Sequence, residues 1–467
     1  MLIASRAQMK KIDEILLEKY TIEELVDKAA ECVLEEILDK DHICVVCGRG
    51  NNGADGYALA LKLLKMKKHV SVISCKQDHL SQACNYYYQL CLEKGLLVEE
   101  KDEAFKKCDL LIDAMFGFGC HSNPLGIEGE MIQKMNDSSI PIVSIDVPSG
   151  MDCDSGKCFE NCIHATKTIT FFAYKLGFFH PDAMKHTGEV VIKRLKVEDF
   201  SNQICLCESL DQISFQKKSY DGHKYTYGRS FLICGSEQYQ GAALLSTKAS
   251  VYTGCGLTCL CSDPRVLQAA SLAVPEAIHA SFEQVAKMSG YQAALIGCGL
   301  DGGEELLRYV LHHTQMPLVI DACALNVLAS HLDWLDGQRS IIITPHLGEF
   351  KRLCPELDDP TMSAIEFAKK YHIIVVLKGP HTLITDGHQS YRCMSGNGAM
   401  ATGGSGDVLS GIIVSLLAQG YDPLQSACKG VYLHGAIGDQ LAQKMHTVLP
   451  SKIIEEIPFM MKKFENV

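Results

Sequence analysis

No apolar run in the sequence reaches the ~20 residues that a membrane span requires. The longest, such as VLSGIIVSLLAQG, read as buried helices. The opening MLIASRAQMKKIDEILLEKY carries charges every few residues and lacks a basic stretch followed by an apolar one, so no secretory signal is expected. No block of Lys and Arg offsets the formal net charge of −12. That argues against nucleic acid or an anionic membrane as partner. It leaves open local anion binding by backbone N–H groups, which does not depend on net charge. Low-complexity tracts are also missing. Hydrophobic residues make up 47% and charged residues 21%, an ordinary globular balance. The 467 residues exceed one ordinary core, so two or three domains are expected.

Cysteine, by contrast, is plentiful, at 22 residues. In a long chain without a secretory signal this reads as reduced thiols in a cytoplasm. Cys44 and Cys47 form the C-x-x-C of HICVVCG, an apolar, β-branched run. In a strand, positions i and i+3 face opposite ways, so these thiols do not converge on a metal and are read as buried small hydrophobes.

Residues 5–38 have apolar positions at helical spacing, among them Met9, Ile12, Leu16, Leu25, Val26 and Val33. Strand-like HICVVC, HVSVISC, DLLIDAM, PIVSIDVP, TKTITFFA and EVVIKRL then alternate with helical segments. This order predicts a mostly parallel α/β sheet covered on both faces. The pattern changes around 200–228, which places a domain boundary at 208/209. A second series follows, with RSFLICG, GLTCLC, AALIGCG, PLVIDA, SIIITP and HIIVVLKG as strands. The halves share no alignable repeat.

Gly48-Arg49-Gly50-Asn51-Asn52-Gly53-Ala54-Asp55-Gly56 follows a strand and opens a helix. G-x-G-x-x-G alone fits a dinucleotide site. Asparagines and an aspartate inside it point elsewhere, as do two strands ending in Asp113 (then Gly117-Phe118-Gly119) and Asp146 (then Ser149-Gly150). Strand carboxyl ends in a parallel sheet share one edge, so Asn51, Asn52, Asp55, Asp113, Asp146 and Ser149 are expected to converge. Such oxygens suit a hard cation, and an aspartate can serve as general base.

In the second half, Lys378-Gly379-Pro380-His381-Thr382 follows a strand, and ATGGSGD runs into the apolar helix VLSGIIVSLLAQ. No Walker A motif occurs. Successive amides and the helix N-terminus around Gly406 form an anion site. Asp407 repels phosphate, so it is read as a base that takes a proton from a substrate hydroxyl, the bland alternative being a helix cap.

GRGNNGADG, DAMFGFG and DVPSG together resemble the YjeF N-terminal domain, the NAD(P)H-hydrate epimerase family, over roughly residues 1–205. The resemblance implies a Rossmann-like three-layer domain. It implies substrate contacts at Asn51, Asn52, Gly53, Ala54 and Asp55, at Gly117, Phe118, Gly119, Cys120, His121, Ser122 and Asn123, and at Asp146. It also implies K+ at Asn52, Asp113 and Ser149. Ala54 stands where the family commonly has glycine, which matters only if φ there is positive. Proton handling falls by chemistry to Asp146, with Asp55 second. Lys175 is read as structural.

GSEQYQGAALLSTKASVYTGCGL, IGCGLD, ITPHLGEF and KGPHT…GNGAMATGGSGDVLSG resemble the ribokinase-like ADP/ATP-dependent NAD(P)H-hydrate dehydratase family, over roughly 215–467. The resemblance implies substrate contacts at Ala242, Gly299, His346 and Asp407. It implies ADP or ATP at Lys378, Gly379, Pro380, His381, Thr382 and Gly406, with Mg2+ on the phosphates. Cys298 and Leu347 replace usual prolines.

The combined resemblance implies a repair enzyme for hydrated NADH and NADPH that works as a homo-oligomer; chemistry makes Asp146 and Asp407 its catalytic candidates, and the cysteine content places it in the cytoplasm. Three rivals share some of these features. A vitamin-precursor kinase leaves the first half unexplained. An inactive binding module leaves Asn52, Asp113, Asp146 and Ser149 without a purpose. A Rossmann dehydrogenase, with Asp78 on the ribose, leaves the second half unexplained.

Overall fold

The computed structural model describes all residues except 1, 76–78, 99–100, 199–206, 211, 336, 338–339, 357–358 and 466–467. Asp78 therefore lies outside the described residues. The chain divides into two compact units, Met1–Leu206 and Cys207–Val467.

The first unit holds a parallel sheet. Its strands are β2 (His42–Cys47), β3 (His69–Ser74), β4 (Leu110–Ala114), β5 (Ile142–Ile145), β6 (Lys167–Phe171) and β8 (Glu189–Lys193), in the order β3-β2-β4-β5-β6-β8. A short parallel pair, β1 (Leu2–Ala4) and β7 (Tyr174–Lys175), is not part of that sheet. Helices cover both faces, and each face has its own core. Val45 and Cys47 point into one cluster, Cys44 and Val46 into the other. The C-x-x-C thiols thus face opposite ways, as strand geometry demands.

The N-terminal helical stretch is two helices, Arg6–Leu17 and Ile22–Glu35, where one periodic run over 5–38 was expected. The break is a capping box. The Thr21 hydroxyl accepts from the Glu24 N–H, and the Glu24 carboxylate accepts from the Thr21 N–H.

The second unit has strands β9 (Cys207–Leu210), β10 (Arg229–Ile233), β11 (Leu257–Ser262), β12 (Ile278–Ser281), β13 (Ala293–Ile296), β14 (Leu318–Ile320), β15 (Ile341–Ile343), β16 (Ile374–Leu377), β17 (Leu383–Thr385) and β18 (Ser390–Cys393). Their order is β12-β11-β10-β13-β14-β15-β16-β17-β18-β9. Strands β12 through β16 are parallel, and β17 runs antiparallel to both its neighbours. The helix Ser405–Ala418 is buried from Val408 to Ala418, because its apolar residues surround it on all sides.

Both sheets reverse strand order beside their first long strand: between β2 and β4 in one, between β10 and β13 in the other. A crevice opens at the carboxyl edge of such a switch point. Both candidate sites sit there. No helix among the described residues is long and apolar enough to cross a membrane.

Candidate functional sites

In the first unit a cavity of about 540 Å³ opens at the β2/β4 edge, a size in the range of small-ligand sites. Apolar side chains such as Met9, Leu25, Val26, Phe116 and Phe172 line most of it. Its polar side chains are Arg49, Asn51, Asn52, Asp55, Asp146 and, unforeseen from the sequence, Asp13. Gly117, Phe118, Gly119 and Cys120 form a further wall.

Asp146 is the hub. It has φ +66°, a costly conformation for a non-glycine residue and one that collects at functional sites. Its Oδ1 accepts from Lys175 Nζ at 2.7 Å and Thr170 Oγ1 at 3.2 Å, and its Oδ2 accepts from the Phe118 N–H at 3.1 Å. Lys175 is wholly buried and also donates to Thr170 Oγ1. The sequence reading gave this lysine no place in the site. Gly117 must be small, since a Cβ there would sit 3.0 Å from Asp146 Oδ2 and 3.5 Å from Asn52 Oδ1. Arg6 fastens the same loop by donating to the carbonyls of Phe118 and Cys120 while pairing with Asp152 at 2.6 Å.

Burial, then the charges of Asp146 and Asp13, pushes the Asp55 carboxyl well above the usual range. Asp13 rises to about 7, from burial first and then from Asp146. The site therefore holds protonatable carboxyls near neutral pH.

Asp113 is fully buried, and burial raises its pKa against the hydrogen bonds that lower it. It accepts from Ser149 Oγ (2.5 Å), Ser149 N (2.9 Å) and Ser144 Oγ (2.8 Å), and no basic side chain pairs with it among the described residues. Phe116 N donates to Ser149 Oγ at 2.9 Å, and Asn52, with an unpartnered buried Nδ2, faces the adjoining Gly117.

Some expected contacts do not line the cavity. Asn51 through Asp55 form the opening of helix Asn51–Lys65, not a free loop. Gly53 is pressed against the Gly48 backbone, and Ala54 is buried in the core without positive φ. The Ala54 departure therefore strains nothing. His121, Ser122 and Asn123 also lie off the cavity, and Asn123 Oδ1 instead accepts from the Asn161 N–H.

In the second unit the β10/β13 edge gathers Gly299 and Ala242. A Cβ on Gly299, which has φ +68°, would lie 2.8 Å from the Ala242 Cβ. One strand further, Asp321 ends β14 and is buried. It accepts from Lys378 Nζ (2.9 Å), Ser410 Oγ (2.7 Å) and Ala322 N (2.8 Å). The sequence reading missed Asp321, although a strand-end aspartate in PLVIDA obeys the rule applied to Asp113 and Asp146. Burial works to lower the Lys378 pKa, but Asp321 and Glu349 outweigh it and raise it.

Helix Ser405–Ala418 starts from Gly404, whose φ of +94° suits glycine. Gly404, not Asp407, is the cap, so the bland reading of Asp407 is not what the structure has. Ser405 Oγ meets His434 Nε2 at 3.2 Å, and burial lowers His434 to about 4, a neutral imidazole. Gly406 is the residue beside the lysine, since a Cβ there would be 3.2 Å from Lys378 Nζ. Asp407 rises to about 6, from burial first and Asp321 second, against lowering by Cys298 and Lys378. Unpaired first-turn N–H groups, a lysine and a raised carboxyl thus share one corner.

His346 also has a structural task. It caps helix Leu347–Leu353, its Nδ1 accepting from the N–H groups of Gly348 (3.0 Å) and Glu349 (3.3 Å), and its ring is more than half exposed. Leu347 occupies the first helical position, where proline is favoured but its N–H bond is not needed. Cys298 is buried, its Sγ 3.8 Å from Asp321 Oδ2. Gly379 to Thr382 make the turn between β16 and β17. Thr382 Oγ1 donates to the Gly379 carbonyl, and Arg392 holds the His381 carbonyl.

Residues 230–459 match a family described as NAD(P)H-hydrate dehydratase, and residues 19–177 one described as YjeF-related protein N-terminus. A curated relative from Moorella thermoacetica, called bifunctional NAD(P)H-hydrate repair enzyme Nnr, is 30% identical over all of this chain and 98% of its own. One of the same name from Coxiella burnetii is 31% identical over 94% of each chain. A solved ribokinase-like superfamily protein from Enterococcus faecalis is 33% identical, covers 54% of this chain and 93% of its own, and superposes with TM-score 0.50.

Proposed function

The chain belongs to the bifunctional NAD(P)H-hydrate repair enzymes, and from that premise we propose how its two units divide the work. The chain repairs hydrated NADH and NADPH, epimerising the R and S forms and dehydrating the S form at the expense of ADP or ATP. Epimerisation belongs to Met1–Leu206 and dehydration to Cys207–Val467.

The observation that carries the dehydratase half is Asp407 beside Lys378 and the open helix start. Hydroxide is a poor leaving group and phosphate a good one. Asp407 takes the hydroxyl proton of the hydrate. Lys378 and the first-turn N–H groups at Gly406 face the phosphoryl group moving to that oxygen. Loss of phosphate with a ring proton then restores the double bond. Mg2+, when bound, would neutralise nucleotide phosphates, and the Glu349 carboxylate, whose charge acts on Lys378, would offer such a hard cation an oxygen donor. The turn Gly379–Thr382 extends the nucleotide side.

In the first unit, inverting the hydroxyl-bearing ring carbon requires a bond at that carbon to open and re-form on the other face: a group that takes the hydroxyl proton lets the ring C–N bond open to an aldehyde, and re-closure on the other face takes the proton back. Asp146, held by Lys175, is placed for it, with Asp13 and Asp55 as further proton carriers. The apolar wall shields the ring from water. K+ fits Asp113, Ser149 and Asn52, because Asp113 is a buried carboxylate without a basic partner among the described residues and its neighbours offer neutral oxygens. When bound, K+ supplies the missing counter-charge. A homo-oligomer in a cytoplasm, with small-molecule partners only, completes the reading.

The test is recovery of dihydronicotinamide absorbance from a racemic hydrate. With ATP and Mg2+ both epimers should return. Without nucleotide neither should, and recovery there would refute the phosphoryl route.

A base must be ionised to act, and Asp407 titrates at about 6. kcat/KM for the S epimer should therefore be flat above pH 7 and fall tenfold per pH unit well below 6. A profile unchanged down to pH 5 would remove Asp407 from that role.

A further inference from the structure

Behind the first site, away from the cavity, Cys158, Cys162 and His186 place two sulfurs and one ring nitrogen within 4.8 Å of one another. They come from two elements, the loop after Ser149 and the short helix Met184–Thr187. The sequence reading used none of the three, and nothing in the proposed reaction requires them.

His186 is oriented as a ligand. Its Nδ1 lies 3.0 Å from the Ile163 carbonyl, which fixes a proton there and leaves Nε2 as the nitrogen a metal would take. An imidazole whose other nitrogen donates to a backbone carbonyl is the usual support for a metal ligand. The loop is held as well. Met151 and Cys158 form an antiparallel bridge, Phe159 N donates to the Gly150 carbonyl (2.9 Å), and Asn136 Nδ2 donates to the Cys162 carbonyl (2.9 Å). Cys162 is buried, while Cys158 and His186 are half-buried, so an ion can enter from solvent.

From this juxtaposition we infer a zinc site formed by Cys158 Sγ, Cys162 Sγ and His186 Nε2. Two thiolates and an imidazole are the donors zinc prefers, with Zn–S ~2.3 Å and Zn–N ~2.0 Å. Such bonds imply ligand separations of roughly 3.5–3.8 Å, so the present cluster, within 4.8 Å, needs to contract by about 1.3 Å at most. The fourth position is left to solvent, which makes the ion exchangeable. His164 stacks on His186 at 4.1 Å but is outside the donor set.

Occupancy would staple the Cys158–Cys162 loop to the helix carrying His186. That loop leads into Ile163, whose N–H donates to the Ser149 carbonyl at 2.9 Å. Zinc would therefore stiffen the strand end that carries Ser149 without touching substrate.

The test uses the full chain, reduced, equilibrated with Zn2+ and passed through a chelator-free sizing column. Elemental analysis should give about one zinc per chain for a single three-ligand site. Co2+ in its place should show thiolate-to-cobalt charge-transfer absorption. Cys158→Ser and His186→Ala should each lose most of this signal, while His164→Ala keeps it. Should either variant fold poorly, wild-type alkylation decides, because Zn2+ should slow iodoacetamide labelling of Cys158 at least tenfold. Zinc-free wild-type protein, equal uptake by the variants, or a Cys158–Cys162 disulfide that persists in reductant and blocks uptake would each overturn the site.

Discussion

Asp407→Asn is expected to lower ATP-dependent dehydration by about 10²–10⁴-fold, the range for loss of a positioned general base, while the melting temperature stays level or rises. The stability part follows from the sign of the shift. Asp407 titrates at about 6 in the fold, above its ordinary 3.8, because burial and Asp321 disfavour its charge. Such a group contributes its full stability below the unfolded value and loses it as pH rises through about 6. At pH 7 the ionised carboxylate is a strain on the fold that asparagine relieves. A helix cap behaves oppositely, since losing one costs ~1 kcal/mol. Gly404 holds the cap position, so no such loss is foreseen. Initial rates by absorbance and a thermal melt on the same preparation check both halves. A destabilised variant with normal turnover would return Asp407 to a structural role.

The second large effect falls on Lys175. Lys175→Met should abolish epimerisation and destabilise the first unit by ~3–5 kcal/mol, the usual result of leaving one member of a buried ion pair alone. The ammonium is wholly buried and 2.7 Å from Asp146 Oδ1. Without it Asp146 keeps its φ of +66° and its Phe118 N–H but loses its counter-charge. The double variant Asp146→Asn with Lys175→Met should recover much of the stability and none of the epimerase activity. Chemical denaturation and separation of the two epimers by chromatography measure these outcomes. Full activity in Lys175→Met would show that Asp146 needs no partner.

These two residues also mark what the sequence could and could not reveal. Asp407 was legible because its meaning is local: a glycine turn, a helix start and an acid stand side by side in GGSGDVLSG. The parallel sheets were legible for the same reason, through strand-sized apolar runs ending in glycine turns. Lys175 was not, because its partner lies 29 positions earlier (175 − 146) on another strand end and YK has no signature of its own. Arg6 is more distant still, reaching Phe118 and Cys120 across more than 100 residues. Asp13 belonged to a helix whose periodicity drew attention to its apolar face, yet it lines the cavity. Asp321 was available from PLVIDA and went unread. His346 carries a task the sequence did not show: its Nδ1 caps the start of a helix, a role usually filled by Ser, Thr, Asp or Asn.

Two separate sites in one chain, each able to fail alone, is the central claim. It is tested most directly by giving Lys175→Met, Asp407→Asn and wild-type protein an equal mixture of R and S hydrate with ATP and Mg2+. Wild-type absorbance should return completely. Lys175→Met should stop at half, with the R form left to its spontaneous rate, and Asp407→Asn should recover nothing while still interconverting R and S. Complete recovery by Lys175→Met at the wild-type rate, or loss of interconversion in Asp407→Asn, would contradict the account.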